Sequence, residues 1–354
     1  IGGTVQPINL SGRLVGPEHP PYVIAEIGSN YNGDMTLCKH MIDEAKRCGA
    51  DAVKFQSWSK NSLISKAEYA RNTTYADTHR HFGSLEQMVE KYQFTAEQHH
   101  EVARYCKEIG IHFMSSAFAP EEVDLLASMD TPAFKVASMD VTHLPLLAHM
   151  AKSGKPIILS TGMASLDEIA VAMNVLKENG AKEISLLHCI SIYPPEYKDV
   201  HLNNMKMLAE TFDVPVGFSD HSVGTAIPLA AVALGACIIE KHFTLDKDME
   251  GWDHWISADP AELEVICREG KNIFTALGSH SRIVSEAELA KRSKFRRRAV
   301  LKHGVKAGDV LQLEDLDFKR PGTGIHPNEY PYVIGRKVNK DLEADAELEW
   351  SDLA

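Results

Sequence analysis

The chain reads VIAEIG at residues 23–28 and DAVKFQ at residues 51–56, with a helix-like stretch between the two runs. Both runs are short and mostly apolar, which is typical of strands that a parallel sheet buries on both faces. Six further runs of this kind follow, each after another helical stretch, at residues 112–117, 133–138, 156–161, 184–189, 215–220 and 238–244. Eight strands alternating with helices over roughly 250 residues predict an α/β fold of the (β/α)8 TIM-barrel type.

A doubly wound parallel sheet is the alternative for such an alternation. That fold needs a glycine-rich phosphate-binding turn of the form GxGxxG after an early strand. The turn after the first run is GSNYNG at residues 28–33, which does not have this form. The sequence therefore favours the barrel.

Two regions fall outside the regular alternation. The gap between the second and third runs is much wider than the others, and its surplus, residues 57–94, is polar, so we expect a long loop over the barrel mouth. The segment KRSKFRRR at 291–298 is mostly basic and is interpreted as a solvated face near a linker. Short β-like runs and tight turns follow it. We predict a barrel over 1–282, a linker over 283–295 and a small, mostly β domain over 296–354.

Composition and charge exclude several classes of protein. The 354 residues include 37 Lys plus Arg and 49 Asp plus Glu, a formal net charge of −12, which argues against binding nucleic acid or an anionic membrane as the main role. No apolar run is long enough to span a bilayer, and the first residues, IGGTV, show no secretory-signal pattern. The six cysteines form no CxxC pair, so we expect buried free thiols and a cytoplasmic protein.

Polar and charged residues gather at the C-terminal ends of the predicted strands, where TIM barrels carry their active sites. Buried charge is costly unless it is paired or used, so we expect this set to be functional. In chain order the strand ends bear Glu26; Lys54 and Gln56; Ser115 and Ser116; Lys135, Ser138 and Asp140; Ser160 and Thr161; His188; Ser219, Asp220 and His221; and Lys241 and His242.

The residue types in this set suggest an anionic, phosphorylated substrate. Lys54 and Lys135 supply positive charge for a phosphate or carboxylate, and the hydroxyls of Ser116, Ser138 and Ser160 add neutral donors. His221 and His242 end the seventh and eighth strands, which are neighbours in a closed barrel. Two imidazoles with open positions fit a catalytic divalent metal. Histidines that act as hydrogen-bonding or acid–base groups remain the alternative.

Several motifs then run in one order across nearly the whole chain: VIAEIGSNYNGD (23–34), ADAVKFQ (50–56), FKVASMD (134–140), GKPIILSTGMASLDEI (154–169), LLHCISIYP (186–194), VGFSDHSVG (216–224), AAVALGACIIEKHFTLDK (230–247) and KRPGTGI (319–325). Together they resemble the sialic acid synthase family, enzymes that make nonulosonic acids from phosphoenolpyruvate. The C-terminal segment resembles the family's SAF domain, which is similar to type III antifreeze proteins. The resemblance implies a (β/α)8 barrel followed by that domain.

The resemblance also implies an activity and roles for residues. The reaction joins phosphoenolpyruvate to an open-chain N-acylated hexosamine of the N-acetylmannosamine type and releases phosphate by C–O cleavage. His221 and His242 match metal ligands, with Mn²⁺ expected first and Mg²⁺ or Co²⁺ as alternatives, and Glu26 matches the acid–base residue. The positions for phosphoenolpyruvate match Lys54, Ser116, Lys135, Ser138 and Ser160, and those for the sugar match Gln56, Tyr193, Asp253 and Arg320.

Arg320 matches an arginine that reaches the sugar's acylamino group from a neighbouring subunit, which implies a domain-swapped homodimer. The segment FKVASMD departs from the Gly-Ser-Gly-acid version of sialic and legionaminic relatives at Met139 and Asp140. The sugar therefore stays open between N-acetylmannosamine, its 6-phosphate and the 2,4-diacetamido-trideoxyhexoses of legionaminic and pseudaminic acid.

Two other functions compete with this interpretation. A Schiff-base aldolase on the same barrel would use Lys135 or Lys241 as its nucleophile. A non-catalytic sugar- or ice-binding protein would use the antifreeze-like domain and leave the barrel residues idle. The histidine pair and the extra domain disfavour the aldolase, and the complete set of acid, lysines and histidines disfavours the binding protein.

Overall fold

The computed structural model describes residues 5–77 and 80–354, and the side chains of residues 75–82 are outside that description. The N-terminal stretch without a signal pattern and part of the 57–94 segment therefore lie outside the described residues. The chain divides into two compact units, Ile1–Gly278 and Ser279–Ala354. The boundary of the first unit lies four residues before the predicted end of the barrel domain.

The first unit is a closed barrel of eight parallel strands, which confirms the predicted fold class. Each of the eight predicted runs coincides with one barrel strand, and the first strand begins one residue before its run, at Tyr22. The eight barrel strands follow one another around the barrel in chain order, and the last pairs with the first to close it. In chain order the strands of this unit are β1 (Ile8–Leu10), β2 (Arg13–Val15), β3 (Tyr22–Glu26), β4 (Ala52–Gln56), β5 (Tyr75–Asp77), β6 (Arg80–Phe82), β7 (His112–Ser116), β8 (Phe134–Val136), β9 (Ile157–Ser160), β10 (Ile184–Cys189), β11 (Val216–Asp220) and β12 (Ile238–His242).

Helices follow the barrel strands and cover the outer face of the sheet. Their ends use local chemistry that the sequence displays: Thr95 and Gln98 form a capping box at the start of one helix, and Gly49 and Gly110 end two helices in the left-handed conformation. The helices of this unit are α1 (Met35–Cys48), α2 (Lys60–Leu63), α3 (Lys66–Arg71), α4 (Leu85–Tyr92), α5 (Ala96–Ile109), α6 (Pro120–Ala127), α7 (Leu144–Ala151), α8 (Leu166–Glu178), α9 (Asn204–Phe212), α10 (Ala226–Ala233) and α11 (Pro260–Leu277).

Alternation along the strands separates two cores. Outward residues such as Val53 and Phe55 pack with the helices in one large apolar cluster, while inward residues such as Ile24 and Ile158 form a second cluster in the barrel interior. The β1–β2 hairpin adds Ile8, Leu10 and Val15 to this interior cluster. The hairpin thus closes the N-terminal end of the barrel with apolar side chains.

The inward positions turn from apolar to polar within two residues along each strand. Ile24 is followed inside the barrel by Glu26, Ala52 by Lys54, and Ile238 by Glu240. The apolar half is closely packed at Gly217, since a Cβ there would lie 2.5 Å from the Ile238 carbonyl oxygen and 2.7 Å from a Leu187 methyl. The barrel therefore has a packed hydrophobic interior below a polar C-terminal mouth.

The expectation of a long loop over residues 57–94 is wrong. This segment contains α2, α3, the β5–β6 hairpin and α4. Ser59, Ser65 and Ser84 cap the three helices, and a small apolar cluster holds them against the barrel. That cluster consists of Trp58, Tyr69, Met88, Val89, Tyr92 and Phe118. Polar composition hid these elements because each helix is short and buries at most three side chains.

The second unit is small and mostly irregular, with its own core. Two short helices, α12 (Glu286–Leu289) and α13 (Arg292–Phe295), occupy the predicted linker, and the strands β13 (Arg298–Leu301) and β14 (Leu316–Lys319) pair antiparallel. Ten buried apolar residues form its core, among them Leu301, Leu311 and Leu348. The basic run 291–298 covers α13 and the start of β13, and Arg298 within it is buried.

Two expectations from composition can be compared with the structure. All six cysteines are buried and free. Across residues 5–77 and 80–354, the structure contains no helix long and apolar enough to cross a membrane.

Candidate active site

A cavity of about 410 Å³ opens at the C-terminal ends of the barrel strands. Eleven of the twelve predicted site residues line it: Glu26, Lys54, Gln56, Ser116, Lys135, Ser138, Ser160, Tyr193, His221, His242 and Asp253. Other lining residues include Phe118, Met139, Met163, Cys189, Ser219, Glu240 and Trp252. The strand ends thus bring most of the predicted set into one place.

Two carboxylates and two lysines form the floor of this cavity. Lys54 Nζ lies 2.5 Å from Glu26 Oε2 and 3.9 Å from Glu240 Oε2. Lys135 Nζ lies 3.6 Å from the same Glu240 oxygen, which has no hydrogen-bond partner among the described residues. All four side chains are buried. The four groups attract one another, yet they leave bonding capacity directed at the cavity.

Burial and charge give the two floor carboxylates different protonation. Burial raises the pKa of Glu26 above its usual range, and the Lys54 ammonium only partly opposes this. Burial also favours a raised pKa at Glu240, but the positive charges of Lys135 and Lys54 outweigh it and lower the pKa of that carboxyl below its usual range. The floor therefore combines an ionised Glu240 between two ammonium groups with a Glu26 that can hold a proton near neutral pH.

Hydroxyl groups orient the lysines. Lys54 donates to Ser116 Oγ at 2.9 Å, and Lys135 donates to Ser160 Oγ at 2.8 Å. Ser138 Oγ accepts from the backbone N–H of Gly162 at 3.0 Å. A Cβ at Gly162 would lie 2.3 Å from Ser191 Oγ and 2.8 Å from Ser138 Oγ, so a side chain there would displace these hydroxyls. Each lysine ammonium is thus held beside a serine hydroxyl that lines the cavity.

The two histidines lie side by side, with ring centroids 5.4 Å apart. His221 Nδ1 is 2.8 Å from the Ile190 carbonyl oxygen, and because a carbonyl only accepts, Nδ1 is the donor; in the neutral ring Nε2 then keeps its lone pair. His242 Nδ1 is buried without a hydrogen-bond partner among the described residues, and it lies 3.8 Å from Asp253 Oδ2. Burial and the nearby His221 lower the pKa of His242 well below its usual value. Two imidazoles with available lone pairs fit a divalent metal.

The remaining polar side chains surround this pair and the floor. Gln56 Nε2 donates to Glu26 Oε1 at 3.3 Å, and Gln56 Oε1 accepts from the Trp58 indole at 3.1 Å. The Tyr193 ring lies 4.0 Å from that of His221. In the part of the chain that the structure describes, no group of three or more His, Cys, Asp or Glu is arranged to hold a metal. A metal here would rest on two protein ligands, with its other positions left for substrate or water.

Comparisons with known proteins agree with this geometry. The model of the NeuB family matches residues 41–282, and that of the SAF domain matches residues 296–354. The chain belongs to the NeuB family. An uncharacterized protein of Methanocaldococcus jannaschii is 43% identical over 99% of both chains, and an N,N'-diacetyllegionaminic acid synthase of Campylobacter jejuni is 43% identical over 91% of this chain and 97% of that protein. The crystal structure of a sialic acid synthetase from Leptospira borgpetersenii, in complex with citrate, has a TM-score of 0.74 and 32% identity, and the match covers 82% of this chain and 96% of that one.

The resemblance inferred from the motifs is therefore confirmed. Relatives at 32–38% identity are named as synthases of legionaminic, N-acetylneuraminate 9-phosphate and pseudaminic acids. Members of the NeuB family with these names make nonulosonic acids, and the matches extend over 94% of the present chain.

Several polar residues at the strand ends face away from the cavity. Lys241 Nζ donates to Asp220 Oδ2 at 2.7 Å and to the Ser222 carbonyl oxygen, on the outer face of the barrel. His188 bonds the Val200 carbonyl oxygen at 2.6 Å, and Ser115 bonds Ser57. The expectation that all strand-end polar residues converge on the mouth is wrong for these residues. Strand alternation sends every second side chain outward.

Glu240 is the main site residue that the sequence analysis missed, and it accepts a hydrogen bond of 3.0 Å from Ser219, which the strand-end set includes but to which no role was assigned. The signal was present in the run IIEKH at 238–242. Inward positions in a strand recur every second residue, so a site that uses His242 also receives Glu240 and excludes Lys241. The apolar rim residues Phe118, Met139, Met163 and Trp252 had no such signal.

Arg320 is the predicted site residue outside this cavity, and it belongs to the second unit. Its guanidinium lies 5.0 Å from the centre of the Phe295 ring. The turn that carries it is fixed by a hydrogen bond of 2.7 Å from Gly322 N to the Ser293 carbonyl oxygen. The arginine is thus presented on a folded turn of the SAF unit.

Proposed function

We propose that this protein condenses phosphoenolpyruvate with an open-chain N-acylated hexosamine to form a nonulosonic acid and phosphate. The observation that carries this proposal is the charged floor, where Lys54 and Lys135 lie beside hydroxyls in a cavity that also contains two histidines. Membership of a family with named nonulosonic acid synthases supports the same reaction class.

Phosphoenolpyruvate carries a carboxylate and a phosphate, and the floor suits both. Lys54 and Lys135 offer ammonium groups, and Ser116, Ser138 and Ser160 offer hydroxyls. When Glu240 is ionised and Glu26 holds a proton, the two ammonium groups outnumber the carboxylates on the floor. Desolvated cations bind an anion more strongly than solvated ones, so the buried lysines favour this substrate over a neutral one.

The chemistry requires a nucleophile, an electrophile and a proton carrier. C3 of phosphoenolpyruvate bonds to C1 of the open-chain sugar, water adds at C2, and the C2–O bond to phosphate then breaks. Glu26 moves a proton at the aldehyde oxygen or at the attacking water, because its raised pKa lets it act as acid and base near neutral pH. Its Oε1 already accepts a hydrogen bond from Gln56 in the cavity.

His221 and His242 would hold a divalent metal. Mn²⁺ is the preferred candidate, and Mg²⁺ and Co²⁺ are the alternatives. The buried, unpartnered Nδ1 of His242 supports this assignment, since a buried polar atom without a partner is costly. A bound metal supplies Lewis-acid polarisation of the sugar aldehyde. Tyr193, packed on His221, and Asp253, beside His242, surround the position where the sugar would bind.

A 2,4-diacetamido-trideoxyhexose is the second candidate for the sugar. The outer wall of the cavity presents Phe118, Met139, Met163 and Trp252, and no Lys or Arg lies among its described lining residues apart from the two floor lysines. A sugar 6-phosphate would lack a counterion on this wall, whereas a methyl group at C6 would contact apolar surface. The wall therefore favours a neutral, deoxygenated sugar end.

Phosphate release tests the proposal directly. The chain is incubated with Mn²⁺, phosphoenolpyruvate and, in turn, N-acetylmannosamine, its 6-phosphate and the two 2,4-diacetamido-trideoxyhexoses. Sugar-dependent phosphate with a nine-carbon product is expected for at least one sugar. No release with any of them would overturn the proposal.

Borohydride trapping separates the aldolase alternative. Of its two candidate nucleophiles, Lys135 lines the cavity and Lys241 does not. Burial lowers the pKa of Lys135, which a Schiff-base lysine also requires. Borohydride treatment with substrate is expected to leave Lys135 unmodified, and a covalent adduct on Lys135 would establish the aldolase instead.

A domain-swapped homodimer would bring Arg320 of one chain to the sugar of another, and complementation tests this. Mixing an Arg320→Ala chain with a Glu26→Gln chain, after subunit exchange is verified, is expected to restore up to about a quarter of wild-type activity, because random pairing gives half heterodimers with one intact site each. Activity no higher than that of the parents would place Arg320 in its own chain's reaction or outside the reaction.

A further inference from the structure

Behind the cavity wall, a chain of buried hydrogen bonds joins α5 to the ends of β4 and β7. His99 on α5 is 1% exposed, Ser57 2% and Ser115 0%. His99 Nε2 lies 2.6 Å from Ser57 Oγ, which lies 2.6 Å from Ser115 Oγ. His99 Nδ1 lies 2.6 Å from the carbonyl oxygen of Thr95. None of these side chains lines the cavity described above.

The direction of every bond in this chain can be assigned. The Thr95 carbonyl only accepts, so His99 Nδ1 carries the proton and donates it. Burial lowers the pKa of His99 to about 4, so the ring is neutral and Nε2 accepts from the Ser57 hydroxyl. Ser57 Oγ in turn accepts from the Ser115 hydroxyl. The imidazole also packs on the Phe94 ring, with centroids 4.0 Å apart, which fixes the plane in which Nε2 points.

The two serines adjoin residues of the active site. Ser57 follows Gln56, and Ser115 precedes Ser116, so alternation places each serine on the outer face and its neighbour on the inner face. The backbone N–H of Ser57 donates to the Ser116 carbonyl oxygen at 2.8 Å, which ties the two strand ends together. The hydrogen bonds of Ser57 and Ser115 on the outer face therefore hold the ends of β4 and β7 in place. The positions of these strand ends in turn set the directions of the Gln56 and Ser116 side chains on the inner face.

The inner side chains form the phosphoenolpyruvate end of the floor. Ser116 Oγ accepts from Lys54 Nζ at 2.9 Å, and Lys54 also pairs with Glu26. A shift of Ser116 would release one of the few partners that orient the Lys54 ammonium. Loss of a hydrogen bond in the His99–Ser57–Ser115 chain on the outer face would thus weaken the binding of phosphoenolpyruvate on the inner face.

We propose that His99 is a positioning residue, which holds Ser116 and Lys54 in their phosphoenolpyruvate-binding arrangement through Ser57 and Ser115. This inference rests on the proposed function, because it assigns the residues it positions to phosphoenolpyruvate. His99 does not touch substrate, and its effect passes through two hydroxyls and one strand end.

The test compares two replacements of His99 by calorimetric titration of phosphoenolpyruvate into folded protein. His99→Phe keeps a ring beside Phe94 but removes the acceptor, and its Kd is expected to rise about tenfold, which corresponds to the loss of roughly one buried hydrogen bond. His99→Gln can present an acceptor near the position of Nε2, and its Kd is expected within about threefold of wild type. His100→Phe, the adjacent and exposed histidine on the same helix, is the matched control and should bind like wild type.

A purely structural role would lower the folded fraction without changing the Kd of the folded molecules, so unfolding curves are recorded for each variant. If His99→Phe fails to fold, Ser115→Ala replaces it, since this removes the last hydroxyl of the chain and adds no volume; the same rise in Kd is expected. A wild-type Kd in the folded His99→Phe or Ser115→Ala chain would overturn the inference, as would equal weakening by Phe and Gln. Absence of phosphoenolpyruvate binding in the wild type would instead overturn the proposed function, and this inference with it.

Discussion

The inner and outer faces of the barrel each bury charge, and they do so in different ways. On the outer face, Lys241 pairs with Asp220 at 2.7 Å and also donates to the Ser222 carbonyl oxygen, while Asp220 accepts the Ser222 N–H at 2.8 Å. On the inner face, Glu240 stands 3.6 and 3.9 Å from two ammonium groups and keeps an oxygen without a hydrogen-bond partner among the described residues. The outer charges satisfy one another, whereas the inner ones line a cavity even where two of them pair closely, as Lys54 and Glu26 do at 2.5 Å.

The difference separates structural charge from functional charge. A buried ion pair whose members satisfy one another holds two strands in place and has no capacity left for a ligand. A buried group with unused bonding capacity beside a cavity is costly to folding, and a substrate or metal can repay that cost. We therefore expect inner substitutions to act on catalysis and outer ones to act on stability.

The largest effect is expected at the inner histidines. His242→Ala should abolish activity, because two protein ligands leave no redundancy, while the free energy of unfolding changes by no more than about 1 kcal/mol. Chelation of the wild type should have the same effect on activity, with recovery on addition of Mn²⁺, Co²⁺ or Mg²⁺. Full activity after exhaustive chelation would contradict the metal assignment.

The next effect is expected at Glu26. Glu26→Gln keeps the shape of the side chain but removes its proton exchange, so kcat should fall by about 10² to 10⁴. The Kd for phosphoenolpyruvate should change little, because Lys54 and Lys135 remain. Steady-state kinetics and titration together check this, and a near-normal kcat would make the carboxylate structural.

The outer pair should show the reverse pattern. Lys241→Met leaves Asp220 as an unpaired buried charge and should lower the free energy of unfolding by about 3–5 kcal/mol. Adding Asp220→Leu removes that charge and should recover most of the loss in denaturant unfolding. Protein that remains folded with unchanged stability but has lost activity would show that Lys241 takes part in the reaction.

The smallest effect concerns a third buried charge, in the second unit. The Arg298 guanidinium pairs with Glu347 and Glu349 and donates to the Leu348 carbonyl oxygen. A Cβ at Gly324, whose φ is +95°, would lie 2.5 Å from Arg298 Cζ. Gly324→Ala should therefore lower the stability of this unit by about 1–3 kcal/mol.

Gly308→Ala is the control for that change, since Gly308 has a similar φ of +90° and nothing within 4 Å of the added Cβ. Gly308→Ala should lower the stability of the second unit by less than Gly324→Ala does, because only backbone strain contributes to its effect. Thermal unfolding of both variants measures the difference, and equal losses would show that Arg298 does not constrain the turn.

Much of the barrel could be predicted because a parallel strand buried on both faces leaves a short apolar run in the sequence. The same runs carried Glu26 and Lys54 at their ends, so the mouth was visible before the structure. The β1–β2 hairpin was missed because INL and RLV are three-residue strands around a Ser11-Gly12 turn, too short to show a period. The helices of residues 57–94 were missed for a similar reason.

Glu240 shows a different limit. Composition at a strand end says which charges are present, but only the alternation of the strand says which of them face inward, and Lys241 stands directly between Glu240 and His242. Hydrogen-bond chains such as His99–Ser57–Ser115 join residues far apart in the chain and leave no local pattern. Both depend on how the strands are arranged around the closed barrel.

Phosphoenolpyruvate labelled with ¹⁸O at its bridging oxygen tests the central claim that the inner face performs the condensation. The account predicts that phosphate is released only when an N-acylated hexosamine is present and that it carries the bridging label, because the C2–O bond breaks. It also predicts that Lys135→Met abolishes this release in a folded chain. Label retained in the keto-acid product, or release that does not depend on the sugar, would contradict the account.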